Sequence, residues 1–218
     1  MTVYIYPEIS KVGSLTKALD KEFEKIHSCT IDDDLDKLPF AYARVENNNR
    51  YSPIYLAEEK KLFLPDFWRD GVCLAHGSTE SINELAKVLD YWLSSDNDTK
   101  SLTDKFQFVT ANKKAIAFDE KREVEYTWNL ILNDNSRADI RSVVELAIND
   151  PVLSKLFPFT SLTRLCFSRC TRYPYTHDTP IVIPISADTY EVRLSNNDVV
   201  VGRGAAQEVL QWLNQIYH

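Results

Sequence analysis

The chain has 218 residues, enough to bury a substantial core in one large domain or two small ones. Its 44% hydrophobic and 26% charged residues are ordinary for a globular protein, and no apolar run approaches the roughly 18 residues that span a membrane. A net charge of -7 disfavours nucleic acid and anionic lipid surfaces and suits a basic protein partner.

The start, MTVYIYPEISKVGS, lacks the basic region and apolar stretch of a secretory signal, so the expected compartment is the cytoplasm. VYIY at 3–6 reads as strand. SLTKALDKEFEKI follows as an amphipathic helix with Leu15, Ala18, Leu19, Phe23 and Ile26 on one face. IDDDLD then gathers Asp32, Asp33, Asp34 and Asp36, which reads either as a solvated loop or as a patch that steers a cationic protein. Strand-like runs occupy 40–45, 52–57, 61–65 and 71–75, with a hairpin turn at WRDG. Pro53 and Pro184 are expected at strand edges or ends, because proline cannot donate to a ladder.

The second helix, STESINELAKVLDYWL, has Ile82, Leu85, Ala86, Leu89, Trp92 and Leu93 on its apolar face. Ser81 and Glu84 stand at capping-box spacing, with Thr79 the competing cap. Further strand-like runs are FQFV (106–109), KAIAF (114–118) and EYTWNLIL (125–132). A third helix over SRADIRSVVELAIND aligns Ile140, Val143, Val144, Ala147 and Ile148, and Pro151 stops it. LCFSR, IVIPI, YEVRL and DVVVG complete the strands, with a turn at SNND. GAAQEVLQWLNQIY closes the chain as a helix facing inward through Ala206, Val209, Leu210, Leu213 and Ile216.

This pattern predicts an α+β fold, mainly antiparallel sheet with about four amphipathic helices, as a single domain over 1–218. Residues 71–93 and 198–217 share a plan of apolar strand, glycine, then a helix carrying Trp-Leu, which suggests two related ββα units. If there are two lobes, they are 1–95 and 105–218, with the break at the polar stretches 96–104 or 133–137.

Chemistry concentrates in LFPFTSLTRLCFSRCTRYPYTHDTPIVIP, residues 156–184, where no acid precedes Asp178. Phe157 and Phe159 read as a core anchor. Arg164, Arg169 and Arg172 are forks suited to carboxylate or phosphate, Tyr173 and Tyr175 add stacking surface, and with His177 they form the candidate anion or ligand contact. The same arginines would lower the pKa of Cys166 and Cys170, with His177 as a base, but strand alternation separates Leu165, Phe167 and Arg169 from Arg164, Cys166, Ser168 and Cys170. Cys29, Cys73, Cys166 and Cys170 form no C-x-x-C pair, and Cys166, Cys170 and His177 lack a second half-site, so no metal is expected. No nucleophile elbow, P-loop, H-E-x-x-H or dinucleotide fingerprint occurs; GRG at 202–204 reads as an ordinary strand-to-helix turn. No cofactor or catalytic residue is expected.

The stretch with Leu156 to Ser161, Leu165, Phe167 to Ser168, Cys170 to Thr171, Tyr173 to Pro174, Asp178, Pro180 and Pro184 resembles the signature of the bacterial domain-of-unknown-function family 6193. WRDGVCLAHGSTESINELAKVLDYWL and EYTWNLIL extend that resemblance to roughly residues 60–218. Some members carry a natural-product biosynthesis label, which implies no reaction and no catalytic residue.

Besides a scaffold in a larger assembly, two functions remain. The first is a protein-binding inhibitor of the immunity type, which neutralises a basic toxin or effector by occluding it. The second is an accessory enzyme or small-molecule binder of a biosynthetic cluster, using the Arg/His-rich segment 164–178.

Overall fold

The computed structural model describes residues 5–23, 30–32 (backbone only), 43–94, 96–176, 179–194 and 199–217. The chain divides into two units, residues 1–119 and 120–218, each an α+β body built on its own antiparallel sheet. The polar stretches at 96–104 and 133–137 lie within the first and second unit respectively, and the division falls between Asp119 and Glu120.

The first unit opens with α1 (Pro7–Val12) and α2 (Leu15–Phe23). Its sheet runs in chain order through β1 (Thr30–Asp32), β2 (Ala43–Asn47), β3 (Arg50–Leu56), β4 (Phe63–Arg69), β5 (Val72–Gly77) and β6 (Val109–Ala111). Between β5 and β6 come α3 (Ile82–Ser94) and α4 (Thr99–Lys105), and α5 (Ala115–Asp119) ends the unit.

The WRDG turn closes the β4–β5 hairpin: Asp70 and Gly71 both take positive φ, 51° and 75°, the requirement of a two-residue turn that matches strand twist. Leu85, Ala86, Leu89, Trp92 and Leu93 of α3 are buried as expected. At its start Ser81 is the cap, its Oγ accepting the Glu84 N–H (3.3 Å), while the Thr79 hydroxyl donates to the Glu84 carboxylate (2.7 Å) and accepts the Ser81 N–H (3.2 Å) ahead of the helix.

Buried Arg50 finishes the far end of α3. Its guanidinium donates to the carbonyls of Trp92 (3.1 Å) and Asn97 (2.8 Å) and lies 4.3 Å from the Trp92 ring centre. The Asn47 amide donates to Leu93 O (2.9 Å), so the β2–β3 hairpin satisfies carbonyls that a helix end leaves free.

The second unit comprises α6 (Glu123–Leu132), a 3-10 segment Asn135–Ile140, α7 (Arg141–Ala147), a 3-10 turn Leu153–Lys155 and five strands followed by α8 (Ala206–Tyr217). The strands β7 (Phe157–Ser161), β8 (Arg164–Ser168), β9 (Pro180–Ser186), β10 (Thr189–Leu194) and β11 (Val200–Gly204) form a meander in that order. Leu165, Phe167, Val182, Tyr190 and Val192 on one face pack with Trp128, Val143, Val144, Val209 and Leu213 from the helices.

Several expectations are corrected. EYTWNLIL is part of α6 and KAIAF of α5, both helical. The β-formers Tyr126, Thr127 and Ile131 suggest a strand, yet Val124, Trp128, Ile131 and Leu132 follow helical spacing. The buried Trp128 indole donates to Leu156 O (3.1 Å). FQFV contributes only Val109 to a strand, because Phe106 closes α4; Tyr6 in VYIY caps α1, a helix that was not expected.

Pro53 sits inside central β3, where register pairs with β4 hold at Tyr51 and Ile54 but not at Pro53 itself. Pro184 lies beyond the point where β9 pairs with β8, as expected. Ile26 and the SNND turn fall outside the described residues.

Both units contain the order ββα, as β4–β5–α3 and β10–β11–α8. The placements differ, since β11 is the last strand of its sheet whereas β5 pairs onward with β6. Trp92 is fully buried and donates to Trp68 O (3.3 Å). Trp212 is half-buried and covers Gly202, where an added Cβ would meet its ring at 2.6 Å.

Candidate functional site

Phe157, which is buried, and Phe159, which is half-buried, belong to β7 at the edge of the second sheet. After β8 the chain turns back over these strands. Buried Ser168 holds the turn, its Oγ accepting the N–H groups of Cys170 (3.1 Å) and Thr176 (3.3 Å), while Thr176 Oγ1 accepts the Arg169 N–H (3.1 Å). This lays Tyr175 on Phe159 with ring centres 4.1 Å apart and brings Tyr173 edge-on to Tyr175. Phe159, Arg164, Cys166, Tyr173, Tyr175 and Ile181 line the resulting cleft of about 240 Å³.

The three arginines do not meet there. Arg164 lines the cleft, whereas the Arg169 guanidinium lies 5.1 Å from the ring centre of Tyr217 in α8, on the opposite, helix-covered face. That separation is the one strand alternation predicts. Arg172 is exposed on the return turn, and its carbonyl accepts from Cys170 Sγ (3.3 Å). His177 lies outside the described residues, as do Asp33, Asp34 and Asp36; Asp32 ends β1, with only its backbone described.

Expected activation of the cysteine thiols is reversed at Cys166. Burial pushes that thiol up to about 11, and the opposing charge of Arg164 is the smaller influence. Such a group is almost wholly protonated at neutral pH and is no nucleophile.

The open face continues from Cys166 through Ile181 to Arg193, and then to Glu191 and Arg203. The Glu191 carboxylate, buried between Arg193 and Arg203, is held below the usual range by hydrogen bonds from Arg193 first and Arg203 second.

The first unit holds a second constellation that the sequence did not disclose. Cys73 and His76 are three residues apart on β5, which in a regular strand puts them on opposite faces. Here the register with β4 shifts, Trp68 pairing with Cys73 but Phe67 with Ala75, so Leu74 is an extra residue. Leu74 and Ala75 both turn inward and are fully buried, and Cys73 and His76 emerge on the same face.

Asn112 secures the irregularity. Its N–H donates to Leu74 O (2.7 Å) and its side-chain amide to Cys73 O (3.0 Å). Asp66, directly opposite His76 on β4, meets His76 Nδ1 at 2.6 Å, and Cys73 Sγ lies 3.9 Å from each ring nitrogen. One donor atom from each of the three residues falls within 4.8 Å of the others. Burial, then the Asp66 charge, pushes the Cys73 thiol up to about 11. Equal distances to both nitrogens also place the sulfur off the Nε2 lone-pair direction, a poor arrangement for proton transfer to His76.

Compared with known proteins, residues 122–212 match the model of DUF6193, a family of unknown function. The chain resembles that family through its second unit, and the matched region contains residues 156–184. Residues 60–121, included in the resemblance on sequence grounds, lie outside the match. No curated protein matches the chain, and no solved structure matches it. Among the described residues, no helix is long and apolar enough to cross a membrane.

Proposed function

We propose that the protein works by binding another protein, as an inhibitor of the immunity type that covers a basic toxin or effector. The cleft of the second unit carries this reading. Its volume of about 240 Å³ falls below the roughly 300–1,000 Å³ of small-molecule sites, which suits one anchoring side chain. Tyrosine and arginine around it are the residue types that dominate binding energy at protein interfaces, and Tyr173 is 75% exposed. The acid excess, concentrated in residues 1–119, would draw a basic partner in. An accessory enzyme using segment 164–178 needs its arginines on one pocket, and Arg164 and Arg169 face opposite ways.

The test is calorimetric titration of the purified chain with the product of the gene adjacent to its own, at low and high salt. A complex weakened by salt, and weakened at least about tenfold by Tyr173→Ala or Arg164→Glu, is expected. The absence of any complex, together with no self-intoxication when the gene is deleted, would overturn the reading.

A further inference from the structure

From the geometry of the first unit we infer that Asp66, Cys73 and His76 form a zinc site, with three protein ligands and an open fourth position. The donor set decides the metal. A thiolate and an imidazole select zinc over magnesium or calcium, which prefer oxygen alone. One carboxylate and one thiolate also balance the two positive charges.

The distances lie close to what the ion needs. Tetrahedral zinc, with bonds of about 2.0–2.3 Å, sets donors about 3.3–3.8 Å apart. Cys73 Sγ stands 3.9 Å from His76 Nδ1, so that gap closes slightly. His76 Nδ1 and Asp66 Oδ1, at 2.6 Å, open as the metal replaces the proton between them. That proton moves to Nε2, and the Cys73 thiol releases its own to solvent as the zinc–sulfur bond forms. Side-chain rotation of this size needs no backbone movement, because paired strands β4 and β5 already hold all three residues on one face.

The backbone supplies an independent reason to see a built site. In a regular strand of the same sequence Cys73 and His76 would face opposite sides, and Asn112 holds the bulge that unites them through the adjacent carbonyls of Cys73 and Leu74. Bulges that re-aim a side chain are a recurrent device beside functional sites. The fourth position faces away from the core, where His76 is 55% exposed, and accepts water or an anionic group. Lys114, whose charge reaches Cys73, favours an anion there and opposes the cation itself.

The experiment takes the full chain, stripped with a chelator, and titrates it with cobalt(II), whose thiolate charge-transfer absorption reports a Cys ligand. Competition with a chromogenic chelator then gives the zinc affinity. One equivalent should bind with a thiolate band, and zinc should raise the Tm as a ligand of the native state does. Cys73→Ser should abolish the band, and His76→Gln and Asp66→Asn should each weaken zinc by at least about tenfold. Asn112→Ala should weaken it while leaving all three ligands in place. Cys29→Ser, Cys166→Ser and Cys170→Ser should keep the band. His76→Gln alters an exposed side chain, so it carries the test should Cys73→Ser fail to fold. No thiolate band in the unaltered chain, or one that survives Cys73→Ser or is lost equally in Cys166→Ser, overturns the assignment.

Discussion

Gly202→Ala sets two opposed effects against each other. Alanine in place of a strand glycine ordinarily stabilises by about 0.5–1 kcal/mol, because the unfolded chain loses freedom. Here the new Cβ would lie 2.6 to 2.8 Å from three atoms of the Trp212 ring, so the ring must move away from the second core. Overpacking of this kind costs about 1–3 kcal/mol. The clash wins, with a net loss of about 1 kcal/mol, or about 4–8 °C in the Tm of a unit this size. Urea unfolding followed by far-ultraviolet circular dichroism measures it without relying on the altered tryptophan's fluorescence. Trp212→Leu costs stability alone but removes the obstacle, so adding Gly202→Ala in that background should be neutral or stabilising. Were Gly202→Ala harmless alone, or equally harmful with and without Trp212, the packing of α8 on β11 would not be as described.

Arg50→Ala removes a buried guanidinium that donates to Trp92 O and Asn97 O, and should destabilise the first unit by about 2–4 kcal/mol in chemical denaturation. Arg50→Lys, with one ammonium for two divergent carbonyls, should recover less than half; a loss under about 1 kcal/mol for the alanine would contradict this. Glu191 gives a pH signature. Its folded pKa is depressed, so its contribution is full above the unfolded value near about 4.3 and disappears as pH falls through the folded value. Stability of the second unit should therefore hold from neutrality to about pH 5 and decline below, with a shallower decline in Glu191→Gln. Identical acid profiles would show that the two arginines do not favour the charged form.

The sequence by itself determined what local physics decides. Helical spacing named the buried faces of α3 and α8, and Asp70-Gly71 named a turn because only residues tolerant of positive φ close it. Alternation along β8 separated Cys166 from Arg169 before any contact was known. The same reasoning failed where tertiary partners overrode local preference. In α6, β-forming residues were outweighed by the burial of Trp128 and Ile131 against a sheet far along the chain.

At Asp66, Cys73 and His76, regular strand alternation would put the last two on opposite faces. One extra residue reversed that parity, and what stabilises it is Asn112, 38 positions after Leu74. The cleft beside Arg164 likewise depends on a return turn closed by Ser168 and Thr176. Composition set the charge, a sum over residues, and the local order of strand-like and helix-like periods set the class of fold. Tertiary structure alone decided which side chains meet, because a bulge or a return turn depends on hydrogen-bond partners remote in sequence.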